Sequence, residues 1–305
     1  MSEYHIPVLL DASVSALVTN KSGLYIDATF GGGGHTAEIL SRLDGSGKVI
    51  AFDRDTDALR NAPEDKRLLL VHNNFRFIQN YVQLFAKEQG TPALADGVLA
   101  DLGVSSHQFD TPERGFSFRY DAPLDMRMNT QAPLSAADVV NTYDQADLER
   151  ILRLYGEADK PGRLAALIVA ARAKATIVTT GDLDKALEPA LPKMAEHKFL
   201  AKVYQALRIE VNQEMRSLEK FLKALPAVVA PGGRISIITY HSLEDRMVKN
   251  FIKTGNVEGR QEKDTFGRLI TPFEALDRKP VLPSEEEIQS NTRARSAKLR
   301  TAVRI

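Results

Sequence analysis

The sequence predicts an α/β fold, a doubly wound, Rossmann-like sheet interrupted by an all-helical inserted domain. Three observations carry this. Apolar runs ending in an acid alternate with helix-period segments over residues 20–104. Four consecutive glycines, Gly31 to Gly34, follow the first such run. From Ser135 to about Gln205 the pattern is helical and nothing else, before a strand returns at Arg234 to Tyr240. The expected division is a first core part over 1–106, a helical insertion over 107–208 and a second core part over 209–305.

Each element has its own justification. Gly23 to Asp27 is a short apolar run closed by an acid. Glycines inside a packed element cost about 0.5–1 kcal/mol each relative to alanine, so four in a row belong where the backbone turns sharply and passes close to a ligand. Ala37, Leu40 and Leu43 then mark one face of a helix over 35–43. Lys48 to Phe52 is a second strand ending in Asp53. An acid there, about 20 residues beyond the glycines, is placed to accept hydrogen bonds from ribose hydroxyls. Leu68 to Val71 supplies a third strand, with helices expected over 55–62 and 75–88. Asp96 to Asp101 is a fourth strand, followed by the small-residue loop Leu102-Gly103-Val104-Ser105-Ser106. In a doubly wound sheet these strand tips share one crevice, which gathers Asp27, the glycines, Asp53 and Asp101.

The glycines alone do not name the ligand, because Gly32-x-Gly34-x-x-Ala37 also satisfies the permissive dinucleotide fingerprint. Asp27, four residues before the first glycine, gives Asp-x-x-x-Gly-x-Gly, which resembles motif one of the class I S-adenosylmethionine-dependent methyltransferases. In that class the acid reaches the amino group at the methionine end of the cofactor. Most members also have glycine where this chain has Thr29. A nicotinamide-dependent dehydrogenase is the rival reading, and Asp27 with the Asp101 loop argues against it. A non-catalytic RNA or assembly module with a vestigial site is the other, opposed by intact Asp27, Asp53 and Asp101.

Composition narrows the chemistry. The 305 residues include no cysteine, which excludes disulfides, thiolate metal sites and any cysteine nucleophile. The six histidines include no pair at ligand spacing, so no metal is expected. Formal net charge is zero, and no global field attracts nucleic acid. Asn291 to Ile305 carries five basic residues and no acid, a local face for phosphate or a solvated strand edge. No apolar run approaches a membrane span and no signal-peptide core is present, so a cytoplasmic address is expected.

The second half reads as follows. Residues 107–133 are loop-like, interrupted by Pro112, Gly115, Pro123 and Pro133. Helices are expected over 147–155, 163–174 and from Thr180, then one long helix over 200–224 stopped by Pro226. Pro231-Gly232-Gly233 is expected to turn into the strand at 234–240, with a helix from Ser242. Residues 255–295 look irregular, and 298–305 closes as a strand.

Together these runs resemble the RsmH (MraW) family of ribosomal RNA cytosine-N4 methyltransferases. The matching segments are His5 with Val8-Leu9-Leu10-Asp11; Ile26-Asp27 through Gly33-Gly34-His35; Asp53-Arg54-Asp55; and Asp101 to Ser106. Glu113 to Phe118, Pro123 to Met128, Gln205 to Ile209 with Val211-Asn212, His241 to Arg246 and Arg293 to Ser296 follow in order. Departures fall at Ala158, after Tyr155-Gly156-Glu157, and in His197 to Tyr204.

The resemblance implies S-adenosylmethionine as cofactor, with Gly33, Gly34 and His35 on its loop and Asp53 as the ribose acid. Phe75 (near the adenine), Asp101 and Gln108 fall on the remaining cofactor positions. It implies 16S ribosomal RNA within the small ribosomal subunit as substrate and the insertion as its recognition domain, and leaves the oligomeric state open, a homodimer included. In amine methylation, acceptors aimed at the amine hydrogens favour the nucleophilic form, a role expected of Asp101 assisted by Ser105 or Ser106. Phe109, Phe116, Phe118 and Tyr240 are the candidates to stack on the target base. Arg114, Arg119, Arg127 and Tyr120 add to the RNA-contacting mixture.

Overall fold

A computed structural model describes residues 7–192 and 194–305, so His5 lies outside the described residues. The chain divides into two compact units, one of residues up to Gly103 together with Met215–Ile305, the other Val104–Glu214. The second unit starts three residues before the expected insertion and ends six after it. The reason is packing: Val104 lies against the helical core and Val211 is part of it.

The first unit opens with α1 (Leu10–Leu17), β1 (Leu24–Asp27), α2 (Gly34–Arg42) and β2 (Lys48–Asp53). It continues with α3 (Thr56–Leu59), β3 (Leu68–His72), α4 (Ile78–Gln89) and β4 (Ala95–Asp101). The second unit holds α5 (Ser106–Asp110), α6 (Ala136–Thr142), α7 (Gln145–Leu154), α8 (Pro161–Arg172), α9 (Thr180–Leu187) and α10 (Glu196–Asn212). The first then resumes with α11 (Glu214–Val228), β5 (Val229–Thr239), α12 (Ser242–Thr254), β6 (Phe273–Ala275), α13 (Glu285–Ser290) and β7 (Lys298–Arg304).

Seven strands form one sheet in the order β3-β2-β1-β4-β5-β7-β6. Strands β1 to β5 run parallel, and β7 is antiparallel to both β5 and β6. Residues Tyr25 to Asp27, Val49 to Phe52 and Val98 to Ala100 are buried, as continuous apolar runs must be when helices cover both faces. Leu218, Phe221 and Leu222 of α11 join one core cluster with Ile26, Ile50 and Phe52. Val14 and Leu17 of α1 join a second with Tyr25, Val49, Ile39 and Leu40. The chain moves outward from β1 to β3 and returns to β4, so the switch point of the winding lies between β1 and β4.

Several expectations shift. The helix expected over 55–62 is only α3, and the one over 75–88 begins as a 3-10 turn at Phe75–Phe77 before α4. The long helix expected over 200–224 is two helices, because Gln213 adopts a left-handed conformation with φ 49°. Pro226 does not stop the second; it sits inside α11, in its last turn, two residues before the helix ends. Pro231-Gly232-Gly233 lies inside β5 as a bulge: Ala95 pairs with Val229 and Gly97 with Arg234. Residues 255–295 contain β6 and α13, and α1 had no signal in the sequence reading.

In the second unit, the buried Asn212 amide accepts from Met128 N at 2.8 Å and donates to Met126 O at 2.7 Å. It thereby fixes the Pro123 to Met128 run to the end of α10. Asn212→Ala removes both hydrogen bonds, at roughly 1–3 kcal/mol each, so about 2–6 kcal/mol of stability should be lost in urea titrations. A loss under about 1 kcal/mol would show the amide to be dispensable.

Candidate active site at the carboxyl edge of the sheet

The tips of β1, β2 and β4 are cross-tied by backbone and side-chain hydrogen bonds. Past β1, Ala28 N donates to Leu99 O and Phe30 N to Phe52 O, both at 2.8 Å. Asp101 N donates to Thr29 Oγ1 at 2.6 Å, while Thr29 N donates to Asp27 Oδ1 at 3.0 Å. Thr36 Oγ1 donates to the other Asp27 oxygen at 2.7 Å. Asp27 is therefore fully enclosed with each carboxylate oxygen taken, and burial pushes its pKa up. Its carboxylate ties the start of the glycine turn to α2. Thr29, the departure from the class pattern, joins β1 to β4.

The glycines divide into two kinds. Gly33 has φ 79°, and a Cβ there would lie 2.8 Å from the Phe30 ring; one at Gly34 would lie 2.1 Å from Pro7. These two are required by the packing of the protein on itself. Gly31 has φ 52°, and its Cβ would meet nothing nearer than Thr29 O at 3.9 Å. That is the open side of the turn. Gly31 N donates to Asp53 Oδ2 at 2.8 Å, and Asp55 N donates to Oδ1 at 2.8 Å. Each Asp53 oxygen keeps a further lone pair for a ligand hydroxyl. Burial raises its pKa, opposed by those two donors.

Around Asp101 the structure gathers residues that the sequence kept apart. Tyr240 Oη donates to Asp101 Oδ1 at 2.7 Å. His35 Nδ1 lies 3.8 Å from Oδ2, and its Nε2 faces Val8 O at 3.2 Å. The Val8 carbonyl can only accept, so Nε2 is the donor of that pair. Burial holds the His35 pKa down. Burial lifts the Asp101 carboxyl to about 6, against the opposing pull of His35 and the Tyr240 hydroxyl. Glu244 Oε2 accepts from Tyr240 N at 2.9 Å and so sets the backbone after β5. Thr29 and Tyr240 were the partners of Asp101 that sequence reasoning missed. The only sign of Thr29 was its departure from glycine, and Tyr240 was read as a base-stacking candidate.

The remaining residues fall as follows. The half-buried Phe75 packs edge-to-face on Phe221, with ring centroids 5.2 Å apart. In the second unit, Ser105 and Gln108 form a capping box: Gln108 N donates to Ser105 Oγ at 3.2 Å and Ser105 N to Gln108 Oε1 at 3.1 Å. The Ser105 hydroxyl oxygen thus caps α5.

The mixed basic and aromatic run over 113–128 is largely internal to its unit. Arg114 is buried and donates to Arg127 O and Met128 O, Phe116 is buried, and Arg127 pairs with Asp125 at 2.6 Å. Arg119 and Tyr120 face outward, Tyr120 at 56% exposure. The basic carboxyl-terminal run is likewise partly spent within the fold, since Arg300 and Lys298 both pair with Asp245, at 2.7 and 3.3 Å.

A doubly wound sheet with a glycine turn after β1 and acids at the tips of β1, β2 and β4 belongs to a class I S-adenosylmethionine-dependent methyltransferase. The profile of the MraW methylase family matches residues 2–305, and the chain belongs to that family. A protein of Phocaeicola vulgatus named ribosomal RNA small subunit methyltransferase H is 52% identical over 299 residues, covering 98% of this chain and 97% of its own. A protein of the same name from Flavobacterium johnsoniae is 52% identical over 303 residues, covering 99% and 98%. A Streptococcus mutans methyltransferase solved with SAH aligns over 99% of this chain and 100% of its own, at 15% identity and TM-score 0.43, too slight a likeness to bear on the site. Among the described residues, no helix is long and apolar enough to cross a membrane.

Proposed function

We propose that this enzyme methylates the N4 amino group of a cytidine in the decoding centre of 16S ribosomal RNA, within the small ribosomal subunit and in the cytoplasm. The observation that carries this reading is the Asp101 carboxylate at the tip of β4, one oxygen held by Tyr240 and the other without a hydrogen bond among the described residues. Such a group suits an exocyclic amine, which has hydrogens to give. The rRNA substrate follows the names of the relatives.

The residues present fit the cofactor. The open side of Gly31 leaves room for a backbone-hugging ligand, and Asp53 has acceptor capacity for ribose hydroxyls. Phe75 offers an apolar face to adenine. Gly33, Gly34 and His35 form the turn, and Asp27 holds it. Bound there, S-adenosylmethionine supplies an electrophilic methyl group. Asp101 would accept one N4 hydrogen, favouring the pyramidal amine, and take the proton the amine loses on methylation, the electron pair of the broken methyl–sulfur bond remaining on sulfur. Orientation of the amine is the main contribution, a factor that can represent roughly 7–11 kcal/mol. Arg119 and Tyr120, the outward members of their loop, serve phosphate contact and base stacking.

Asp53→Ala should weaken S-adenosylmethionine binding by about 1.5–3 kcal/mol, the range for a hydrogen bond to a charged group. Calorimetry showing unchanged affinity would remove Asp53 from the ribose. The substrate is tested with small subunits from a strain lacking this gene, labelled cofactor and mass spectrometry of the product nucleosides. N4-methylation at a single cytidine is the expected result; a label on another atom or another RNA overturns the assignment.

A further inference from the structure

We propose that Tyr240 is the positioning residue of the methyl-transfer step, holding the Asp101 carboxylate so that Oδ2 is the oxygen presented to the acceptor amine. The inference rests on the reading of Asp101 as the amine acceptor.

The geometry is specific. The Tyr240 hydroxyl donates to Oδ1 at 2.7 Å, and the backbone of Asp101 is tied to Thr29 Oγ1 at 2.6 Å. The carboxylate is thus held from its backbone and through one oxygen. A Cβ on Gly103 would come within 3.3 Å of the Tyr240 ring, so the glycine after Leu102 lets the ring lie close to the loop. Glu244 fixes the Tyr240 backbone from α12. Oδ2, among the described residues, has no hydrogen-bond donor; the buried His35 Nδ1 lies 3.8 Å from it. A carboxylate free to rotate about its terminal bond would exchange its two oxygens, whereas one with a charge-assisted donor on Oδ1 offers the same oxygen at every turnover.

The same contact explains why Tyr240 suits this place better than phenylalanine. Its hydroxyl favours the ionised carboxylate, as His35 does, while burial and the Asp27 and Glu244 carboxylates oppose ionisation. These are the groups that face Asp101, and Tyr240 is the one whose donor can be removed with the ring kept.

Tyr240→Phe tests this in the full-length enzyme. The expected result is cofactor affinity within twofold of the parent by calorimetry and single-turnover methylation of small subunits slowed about 10–100-fold, the scale of one lost charge-assisted hydrogen bond. The acid limb of the pH–rate profile should move to higher pH. The Asp101 carboxyl resonance, followed by carbon-13 NMR without cofactor or RNA, should titrate higher in the variant. Site-specific 3-fluorotyrosine, a stronger donor of similar shape, should move both readouts the other way.

An unshifted titration, or a slowing with no change in the acid limb, overturns the inference. Asp101→Asn is run beside it. If that variant keeps turnover, the reading of Asp101 fails first. If it is inactive and Tyr240→Phe behaves as the parent, only the role of Tyr240 fails.

Discussion

Asp101→Asn is expected to reduce single-turnover methylation at least ~10³-fold, within the range for a positioned acid–base group. The substitution preserves shape and lets Tyr240 keep a hydrogen-bond partner, so the fold should survive it. It replaces an acceptor oxygen with a donor NH2, which confronts the amine hydrogens with more hydrogens. The parent enzyme should lose activity as pH falls through about 6, the value to which burial lifts this carboxyl. Near-normal turnover in the variant would exclude Asp101 from the chemistry.

The same carboxyl makes a second reading available through stability. Its native pKa is raised from 3.8 to about 6, so the folded state favours the protonated acid. Below pH 3.8 the group is neutral in both states and imposes no penalty. As pH climbs from there to 6 the unfolded chain ionises first, and stability declines; above 6 the penalty is complete. Asparagine removes it. Asp101→Asn should therefore be more stable than the parent above pH 6, by up to about 3 kcal/mol in urea titrations at pH 8. The gain should vanish near pH 4.

Gly33→Ala should be strongly disruptive in the glycine turn. At φ 79° a non-glycine residue is strained by about 1–2 kcal/mol. The new methyl would also sit 2.8 Å from the Phe30 ring, which is only 2% exposed and cannot swing away without opening the core. A combined loss of about 2–4 kcal/mol is expected, with cofactor binding weakened as the turn shifts. Gly31→Ala is the control. It shares the left-handed backbone but meets nothing within 3.9 Å, so its stability cost should stay near 1 kcal/mol while cofactor affinity still falls. Equal destabilisation by the two methyls would contradict this division.

Local pattern made much of the molecule readable. Continuous apolar runs at 24–27, 48–53 and 95–101 can be satisfied only by burial on both faces, and their terminal acids mark the carboxyl edge. The helical insertion was equally plain from its period. Other features had no local cause. Asn212, at the end of α10, is bonded to Met126 and Met128, far back in the chain. Arg114 and Phe116 looked like RNA contacts because side-chain chemistry does not say which way a residue faces, and both are buried.

By itself, then, the sequence determined the class of fold and the family, because glycine turns and strand-end acids are properties of short segments. Only the tertiary structure decided the environment of Asp101. Thr29 and His35, from the stretch after β1, and Tyr240, from the end of β5, meet there because β1, β4 and β5 lie side by side in the sheet. The proximity of a tyrosine hydroxyl 139 residues away, and the burial that lifts the acid it touches, are consequences of strand order rather than of any local spacing.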